Sequence, residues 1–348
     1  MNYTKCWLEY PLIAPEAREL TVDSEFTGPL ADSAFEELTL GFGGMYGQTV
    51  RQTSGEARLV IRRNAALHPE GYRLEAGDGA CTLEAGGARG MLYGVFALLR
   101  QLRLSGKPFD ALHAQESAAP ANPLRMLNHW DNMDGSIERG YSGRSFFFRD
   151  NEIIVDQRIH DYARLVASVG INALVINNVN VGGAASWLIS HRYYEKLRQL
   201  QRIFAAYGID LYLSVNFAAP MELGGLTLSD PCDPGVKVWW MNKAREIWQE
   251  LPGFGGFLVK ADSEGRPGPF TYGRTHADGA NMLADAVAPY GGKIIWRCFV
   301  YNCRQDWRDA KTDRPKAAYE NFMPLDGQFR DNVILQIKNG PMDFQVRE

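Results

Sequence analysis

The chain has 348 residues, of which 45% are hydrophobic and 22% charged, so it carries enough apolar material for a sizeable core. Its net charge is −4 and it contains no basic run, which gives no electrostatic basis for binding nucleic acid. No apolar stretch approaches the ~20 residues that cross a bilayer, and the N-terminus lacks an apolar signal-peptide core, so we expect neither membrane association nor secretion.

Residues 1–120 are predicted to form a small α+β domain. Short strands are predicted at 38–40, 58–61, 71–75 and 81–85. An amphipathic helix of about fourteen residues should follow from Arg89, because apolar residues recur there at helical spacing. Residues 117–123, Ser-Ala-Ala-Pro-Ala-Asn-Pro, predict a linker to the rest of the chain.

Residues 121–348 alternate short apolar strands with helices. Strands are predicted at 124–127, 173–176, 211–215, 257–259, 293–296 and 333–337, and helices at 159–169, 193–207, 236–251 and 280–288. Each strand ends in polar residues, which is the sequence pattern of a (β/α)₈ TIM barrel. A doubly wound sheet is the alternative, but the chain has no glycine-rich dinucleotide turn.

A TIM barrel needs eight strands, and the sequence predicts about six. Either two strands are hidden in the loops, or residues 121–348 are a catalytic barrel truncated before its last strands. We favour the second explanation, in which the chain is the N-terminal part of a longer protein. An open barrel leaves two apolar edges exposed, so we expect residues 1–348 alone to be poorly soluble and inactive.

The first two barrel strands end in amides, aromatic rings and carboxylates. Sugars need many hydrogen-bond partners and flat apolar faces, and this collection provides both. Any single asparagine more often satisfies local backbone groups, yet the set as a whole favours a sugar site. The residues concerned are Asn128, His129, Trp130, Asp131, Asn132, Asn177, Asn178 and Asn180.

The later strands end in cations and acids. Three cations at one barrel mouth imply an anionic group on the ligand, most simply a carboxylate or phosphate. Carboxylates on different strands are what glycoside hydrolysis requires, and Glu264 and Asp343 are the candidates. Asp262 is a rival, either as a second catalytic carboxylate or as an orienting partner. The cations are Lys260, Arg297 and Lys338.

Other reactive side chains are interpreted as structural. The six histidines and five cysteines show no metal-ligand or disulfide spacing, so we expect no metal, no cofactor and a cytoplasmic location. Cys298 and Cys303 are interpreted as small apolar fillers rather than nucleophiles. Trp187, Trp239 and Trp240 are expected to pack in the interior rather than serve as ligand platforms.

Four segments of the chain closely resemble glycoside hydrolase family 67, the microbial α-glucuronidases that remove (4-O-methyl-)glucuronic acid from xylan fragments. The segments are 124–145, 259–274, 295–301 and 336–348. They include Leu-Asn-His-Trp-Asp-Asn at 127–132 and Val-Lys-Ala-Asp-Ser-Glu at 259–264. The likeness covers essentially the whole chain.

The resemblance implies an α+β domain, a central (β/α)₈ barrel and a mostly helical C-terminal domain that supports dimerisation, so a homodimer is expected only of a full-length protein. It implies an inverting enzyme that cleaves the α-1,2 bond of glucuronic-acid-substituted xylo-oligosaccharides. Glu264 matches the general acid, and Asp343 matches one of two water-activating carboxylates. In the family, the other water-activating carboxylate lies on a later strand, beyond Glu348.

Substrate binding is assigned to the three cations Lys260, Arg297 and Lys338, which by the resemblance hold the uronate carboxylate, and to His129, Trp130 and Asn178. Two other functions stay open. One is a retaining (β/α)₈ glycosidase that uses Asp262 and Glu264, since a small α+β domain also precedes some hexosaminidase barrels. The other is a non-catalytic fragment.

Overall fold

The computed structural model describes residues 8–138, 143–262, 265–298 and 314–337, the side chains of 314–317 excepted. Its contacts divide the chain into two compact units. The first comprises residues 1–126, 156–172 and 202–209, and the second comprises 127–155, 173–201 and 210–348. These units interleave along the chain, whereas the predicted division at residue 120 is a single cut, so that division stays a prediction.

The first unit contains a six-stranded mixed sheet within the described residues, in the order β2-β1-β3-β5-β4-β6. Strand β1 is parallel to β2 and β3, and β3 is parallel to β5. Strand β4 is antiparallel to β5 and β6. The strands are β1 (Leu20–Ser24), β2 (Val50–Gln52), β3 (Leu59–Arg63), β4 (Tyr72–Gly77), β5 (Ala80–Ala85) and β6 (Ala114–Ala118).

Two packed helices belong to the same unit, α1 (Pro29–Tyr46) and α2 (Ala88–Ser105). Helix α2 confirms the predicted amphipathic helix. The strand predicted at 38–40 is wrong, because those residues lie inside α1. Buried side chains recur along α1 every three to four residues, and this period shows only in a window longer than three residues. They include Ala34, Leu38, Phe42 and Met45.

The second sheet is parallel and has six strands in the described residues, in the order β14-β13-β12-β11-β10-β7. Each strand pairs with the next barrel strand along the chain, as in an incomplete TIM barrel, so the predicted fold class is confirmed. The strands are β7 (Met126–Asn128), β10 (Ala173–Val175), β11 (Asp210–Val215), β12 (Gly256–Val259), β13 (Lys293–Arg297) and β14 (Val333–Gln336). A short hairpin, β8 (Phe148–Arg149) and β9 (Glu152–Ile153), follows β7.

Helices separate the barrel strands, and all four predicted helices are confirmed. Two further helices in the described residues, α5 (Ala219–Glu222) and α8 (Arg314–Phe322), lie where the sequence predicted none. Side chains of Asp156, Asp233 and Thr275 accept backbone N–H groups of the first turns of α3, α6 and α7 and so fix where those helices begin. The helices are α3 (Gln157–Ser168), α4 (Tyr194–Ala206), α5 (Ala219–Glu222), α6 (Pro234–Glu250), α7 (His276–Val287) and α8 (Arg314–Phe322).

Aromatic side chains fill the space between the parallel sheet and helix α6. Phe257 of β12 is fully buried, and its ring lies 6.0 Å from the rings of Trp240 and Trp248 and 5.6 Å from that of Phe254. This apolar packing holds the strands, and therefore their carboxyl ends, in place. None of the helices in the described ranges combines the length and the apolarity needed to cross a membrane.

Candidate active site

Lys260 and Arg297 lie at the carboxyl ends of two neighbouring strands, β12 and β13. Val259, the last residue of β12, is paired with Trp296 of β13; Lys260 follows Val259 and Arg297 follows Trp296. Neighbouring strands are about 4.8 Å apart, and residues in register on parallel strands point to the same side. The fold therefore presents an ammonium and a guanidinium together at the edge where TIM barrels build their active sites.

The ammonium of Lys260 is held by the loop that follows β10. Its Nζ donates a hydrogen bond to Oδ1 of Asn180 at 2.8 Å. The amide of Asn180 in turn donates from Nδ2 to Oε1 of Glu138 at 3.3 Å. Three side chains from three strand ends are thus joined into one chain of hydrogen bonds.

Glu138 also organises the ends of β7 and β10. Its Oε2 accepts a hydrogen bond from Nδ2 of Asn178, which also donates to Oδ1 of Asn132 at 2.7 Å. Oδ1 of Asn178 accepts the backbone N–H of Asn180 at 3.0 Å. The asparagines predicted to contact sugar are therefore connected to one another, and the donor and acceptor positions of their amides are fixed.

The guanidinium of Arg297 lies over the indole of Trp130, with Cζ 5.6 Å from the ring centroid. Arg297 is only 9% exposed. A cation on an aromatic face is attracted to the ring's electron density, and more so where water is excluded. Trp130 therefore orients the guanidinium, whose planar set of N–H donors is the kind that binds carboxylates.

His129 and Asp131 form a second layer beside this group. Nδ1 of His129 lies 3.6 Å from Oδ1 of Asp131, and its ring meets Phe147 edge-on at 4.8 Å. Asp131 is buried, and its Oδ2 accepts the hydroxyl of Ser145 at 2.6 Å and the backbone N–H of Phe146. Burial alone would raise the pKa of Asp131, but the hydrogen bonds from His129, Ser145 and the backbone lower it overall. Asp131 is thus an ionised anchor for this loop.

Two other strand-end asparagines serve the backbone and side chains around them. Asn177 is fully buried and exchanges side-chain hydrogen bonds with the backbone N–H and C=O of Ser214 at 2.8 and 3.0 Å. Asn216 donates to Glu222 at 2.6 Å and accepts the N–H of Ala218 at 2.9 Å. For Asn177 the local structural role considered from the sequence is therefore the one observed.

The loop after β12 is built around Asp262. Asp262 is 5% exposed and has a left-handed backbone, with φ 52°. Its Oδ2 accepts the backbone N–H of Phe270 at 3.1 Å. Gly268 packs so closely that a Cβ there would lie 2.3 Å from Cγ of Asp262. Asp262 therefore ties the end of β12 to the segment 268–270.

Comparison with known proteins decides the family of this chain. Residues 106–348 match the profile described as "Glycosyl hydrolase family 67 middle domain". This chain belongs to glycosyl hydrolase family 67. The resemblance found in the sequence is therefore confirmed.

Curated relatives of this family 67 chain include α-glucuronidase A of Aspergillus tubingensis, 46% identical over 289 residues, or 81% of this chain and 33% of the relative. The probable α-glucuronidase A of Aspergillus terreus is 40% identical over 98% of this chain and 43% of the relative. The chain thus spans about a third to two-fifths of the length of these relatives.

Among solved structures, a β-N-acetylhexosaminidase from Bacteroides fragilis has a similar fold, with a TM-score of 0.58 at 13% identity over 93% of this chain and 67% of that one. At this identity the likeness concerns the fold of the family 67 chain alone.

Five of the predicted site residues lie in the described part of this family 67 chain, all of them in the second unit. They are His129, Trp130, Asn178, Lys260 and Arg297. The structure joins Lys260 to Asn178 through Asn180 and Glu138, and it places Arg297 on Trp130. Glu264, Lys338 and Asp343 lie outside the described residues.

Glu138 was not singled out from the sequence. It reaches the site because the chain folds back after β7, where Asp131 and Ile137 form an isolated antiparallel bridge and the N–H of Glu138 donates to the carbonyl of Trp130 at 3.0 Å. The sequence did hold a signal for Glu138. It lies inside the first family-like segment, 124–145, and follows by four positions the Asp134-Gly135 pair that is typical of a turn.

Other candidates considered from the sequence separate into buried and exposed groups. Cys298 is buried, and burial raises the pKa of its thiol to about 12, as expected of an apolar filler. Cys303 lies outside the described residues. Trp240 is fully buried with Trp239 packed edge-on against it at 4.9 Å, but Trp187 is 47% exposed, so the prediction that it packs in the interior is wrong. In the described ranges no cluster of three or more His, Cys, Asp or Glu side chains is placed to hold a metal ion.

Proposed function

We propose that residues 121–348 form the catalytic barrel of an inverting α-glucuronidase, which cleaves the α-1,2 bond between (4-O-methyl-)glucuronic acid and a xylo-oligosaccharide. The observation that carries the proposal is the paired placement of Lys260 and Arg297 on adjacent strand ends, each oriented by a neighbour. The names of the curated relatives, which are α-glucuronidases, support the same activity.

The two cations select the ligand by its charge. A uronate carboxylate can accept hydrogen bonds from the fork of Arg297 and from the ammonium of Lys260, with Lys338 as the third predicted contact. A neutral glucoside lacks the carboxylate and so cannot make the charge-assisted hydrogen bonds that these two cations would give to a uronate. The site should therefore bind neutral sugars much more weakly.

The chemistry needs an acid and a base on opposite sides of the scissile bond. Glu264 would protonate the glycosidic oxygen, and Asp343 would help to activate a water on the other face of the sugar. In an inverting enzyme the two carboxyl groups stand about 6.5–9.5 Å apart, which leaves room for that water. The general acid has to be protonated near neutral pH, so its pKa must be raised by its surroundings.

The retaining alternative would require Asp262 as the nucleophile beside Glu264. The contacts of Asp262 favour a different role, since its carboxylate is buried, bonded to the N–H of Phe270 and packed against Gly268. A nucleophile has to be free to reach the anomeric carbon. We therefore assign Asp262 to holding the loop that carries the general acid.

The anomeric configuration of the released sugar tests the mechanism. Proton NMR during hydrolysis of a glucuronic-acid-substituted xylo-oligosaccharide should show β-glucuronic acid as the first product, since inversion converts the α-linkage. An α-anomer as first product would rule out inversion and would favour the retaining mechanism with Asp262 and Glu264. Parallel assays with a neutral α-1,2-glucosyl xylo-oligosaccharide should give little or no turnover; equal turnover would refute the uronate site.

A second assay tests the general acid. Glu264→Ala should lose about 10²–10⁴-fold in rate on natural substrates, whose leaving group must be protonated. The same variant should lose much less on an activated aryl glucuronide, because its leaving group departs without a proton. Equal losses on both substrates would count against this role for Glu264.

A further inference from the structure

The hydrogen bonds of Asn180 place a neutral amide between a carboxylate and the lysine of the candidate site. Oδ1 of Asn180 faces the ammonium of Lys260 at 2.8 Å, and Nδ2 faces Oε1 of Glu138 at 3.3 Å. An ammonium can only donate and an ionised carboxylate can only accept, so this arrangement satisfies both ends of the amide. If the amide were turned round, its N–H₂ group would face the ammonium of Lys260 and its oxygen would face the carboxylate of Glu138, and neither pair could form a hydrogen bond.

Glu138 is itself held in place. Its second oxygen accepts Nδ2 of Asn178, and its backbone N–H donates to the carbonyl of Trp130, the residue whose ring lies under Arg297. The orientation of the Asn180 amide is therefore set by a carboxylate that is fixed at two points. The same segment, 130–138, supports both cations.

We propose that Asn180 is the positioning residue of Lys260, that Glu138 sets the polarity of its amide, and that the side chain at 180 has to be neutral for Lys260 to read the uronate carboxylate. This inference rests on the proposed function, because it concerns how the same site recognises its acidic sugar. The amide directs the ammonium without cancelling its charge. A carboxylate at the same place would pair with Lys260 and repel the ligand.

Asn180→Asp adds a negative charge at position 180 and leaves the size of the side chain nearly unchanged. The binding of glucuronic acid and of its neutral amide, glucuronamide, should be measured by calorimetry on the protein as it is naturally produced. We expect Asn180→Asp to weaken the binding of glucuronic acid by about tenfold or more, and to change the binding of glucuronamide much less. The matched control is Asn242→Asp, which makes the same charge change at an exposed position of α6.

Glu138→Gln provides a second variant, which acts on Lys260 through the hydrogen bonds of Asn180. Glutamine has one acceptor oxygen where Glu138 has two, so it cannot accept from Asn178 and from Asn180 through separate oxygens, and the orientation of the Asn180 amide is held less firmly. We expect a smaller but selective loss of glucuronic acid binding, and a rise in KM for the acidic substrate rather than a matching fall in kcat. Glu195→Gln, at an exposed position of α4, is its control.

The outcomes separate this inference from the proposed function. If the unchanged protein binds glucuronamide as tightly as glucuronic acid, the uronate site itself fails and the inference falls with it. If the unchanged protein prefers the acid but Asn180→Asp keeps that preference, only the role of Asn180 is refuted. Equal losses for acid and amide would also refute it, because they indicate general damage. If Asn180→Asp does not fold, the selectivity of Glu138→Gln decides by the same criteria.

Discussion

The indole nitrogen of Trp296 donates a hydrogen bond to Nδ1 of His276 at 3.2 Å, in the interior of the second unit. The imidazole is stacked on Phe322, with ring centroids 4.6 Å apart, and meets Phe270 at 4.5 Å. An Nδ1 that accepts a hydrogen bond belongs to a neutral imidazole. Burial lowers the pKa of His276 to about 3, so the ring stays neutral throughout the physiological range.

His276 should make folding stability fall as the solution becomes acidic. In the unfolded chain its pKa is about 6.5, so below that pH the unfolded state takes up a proton that the folded state refuses. The stabilisation is complete above pH 6.5 and is lost as the pH falls from 6.5 toward 3. The slope contributed by this one group reaches about 1.4 kcal/mol per pH unit.

Urea unfolding between pH 7.5 and 4.5 measures this contribution. His276→Gln should be less stable at pH 7.5 but should lose less further stability on acidification than the unchanged protein. His160→Gln, at an exposed position of α3, should keep the full acid sensitivity. Equal pH slopes for His276→Gln and the unchanged protein would show that His276 is protonated in the folded state.

A buried ion pair in the first unit should be sensitive to the loss of either partner. Glu37 of α1 is fully buried, and its carboxylate accepts both Nε and Nη2 of Arg164 of α3, the latter at 2.8 Å. We expect Glu37→Leu to destabilise the protein by about 3–5 kcal/mol, because it leaves a guanidinium without its counter-charge. Urea unfolding of Glu37→Leu, Arg164→Leu and the double variant measures the effect.

The double variant supplies the control for this pair. Because it removes both charges, it should be more stable than the sum of the two single losses predicts. Strict additivity would mean that the two side chains do not depend on each other, in contradiction to the observed contact.

Most strands and helices of the barrel could be predicted from the sequence because the local hydrophobic patterns agree with the secondary structure that the fold requires. Strands such as β12 are short apolar runs buried on both faces, and they end at polar residues. Helix α1 was misread where three residues, Leu-Thr-Leu, fit a strand while the surrounding eighteen form a helix. Strands β1 and β2 were missed, since they are only five and three residues long and they pair with strands that are distant in the sequence.

The site was only partly predictable, because its hydrogen bonds join distant parts of the chain. That polar residues would gather at the strand ends follows from the barrel pattern. That Lys260 would bond Asn180, 80 positions earlier, does not follow from any local rule. The amide and carboxylate of Asn180 and Glu138 meet only because two loops fold over the same strand ends.

Gly268 should be required to hold Asp262, two residues before the proposed general acid Glu264, in its observed position. An added Cβ would lie 2.3 Å from Cγ and 2.4 Å from the backbone nitrogen of Asp262, so Asp262 would have to move. We expect Gly268→Ala to break the bond from Phe270 to Asp262 and to reduce kcat by about tenfold or more, since misplaced catalytic groups are costly. Steady-state kinetics should show a much smaller effect on KM.

Gly43→Ala is the matched control for this substitution. Gly43 lies inside helix α1, where the nearest atom to a new Cβ is 3.8 Å away, so alanine should fit and should stabilise the helix slightly. Unchanged kcat in Gly268→Ala would mean that the position of Asp262 is unimportant for turnover.

Arg297 should recognise the substrate through its planar fork as well as through its charge. Its guanidinium lies over Trp130, 5.6 Å from the ring centroid, which restricts the plane in which its N–H groups point. Arg297→Lys keeps the positive charge but loses the fork and the stacked geometry. We expect KM for the uronate substrate to rise about tenfold or more, and Arg297→Ala to be worse, because the charge is lost as well.

Trp130→Phe tests whether the orientation of the Arg297 guanidinium matters for binding, because it keeps the charge of Arg297 and changes only the ring beneath it. Phenylalanine keeps an aromatic face but binds cations less strongly than indole, so the loss should be smaller than that of Arg297→Lys. If the site used only net charge, Arg297→Lys would match the unchanged protein and Trp130→Phe would have no effect on uronate binding. A graded loss, with Trp130→Phe mildest and Arg297→Ala most severe, is the expected result, measured as Kd for glucuronic acid by calorimetry.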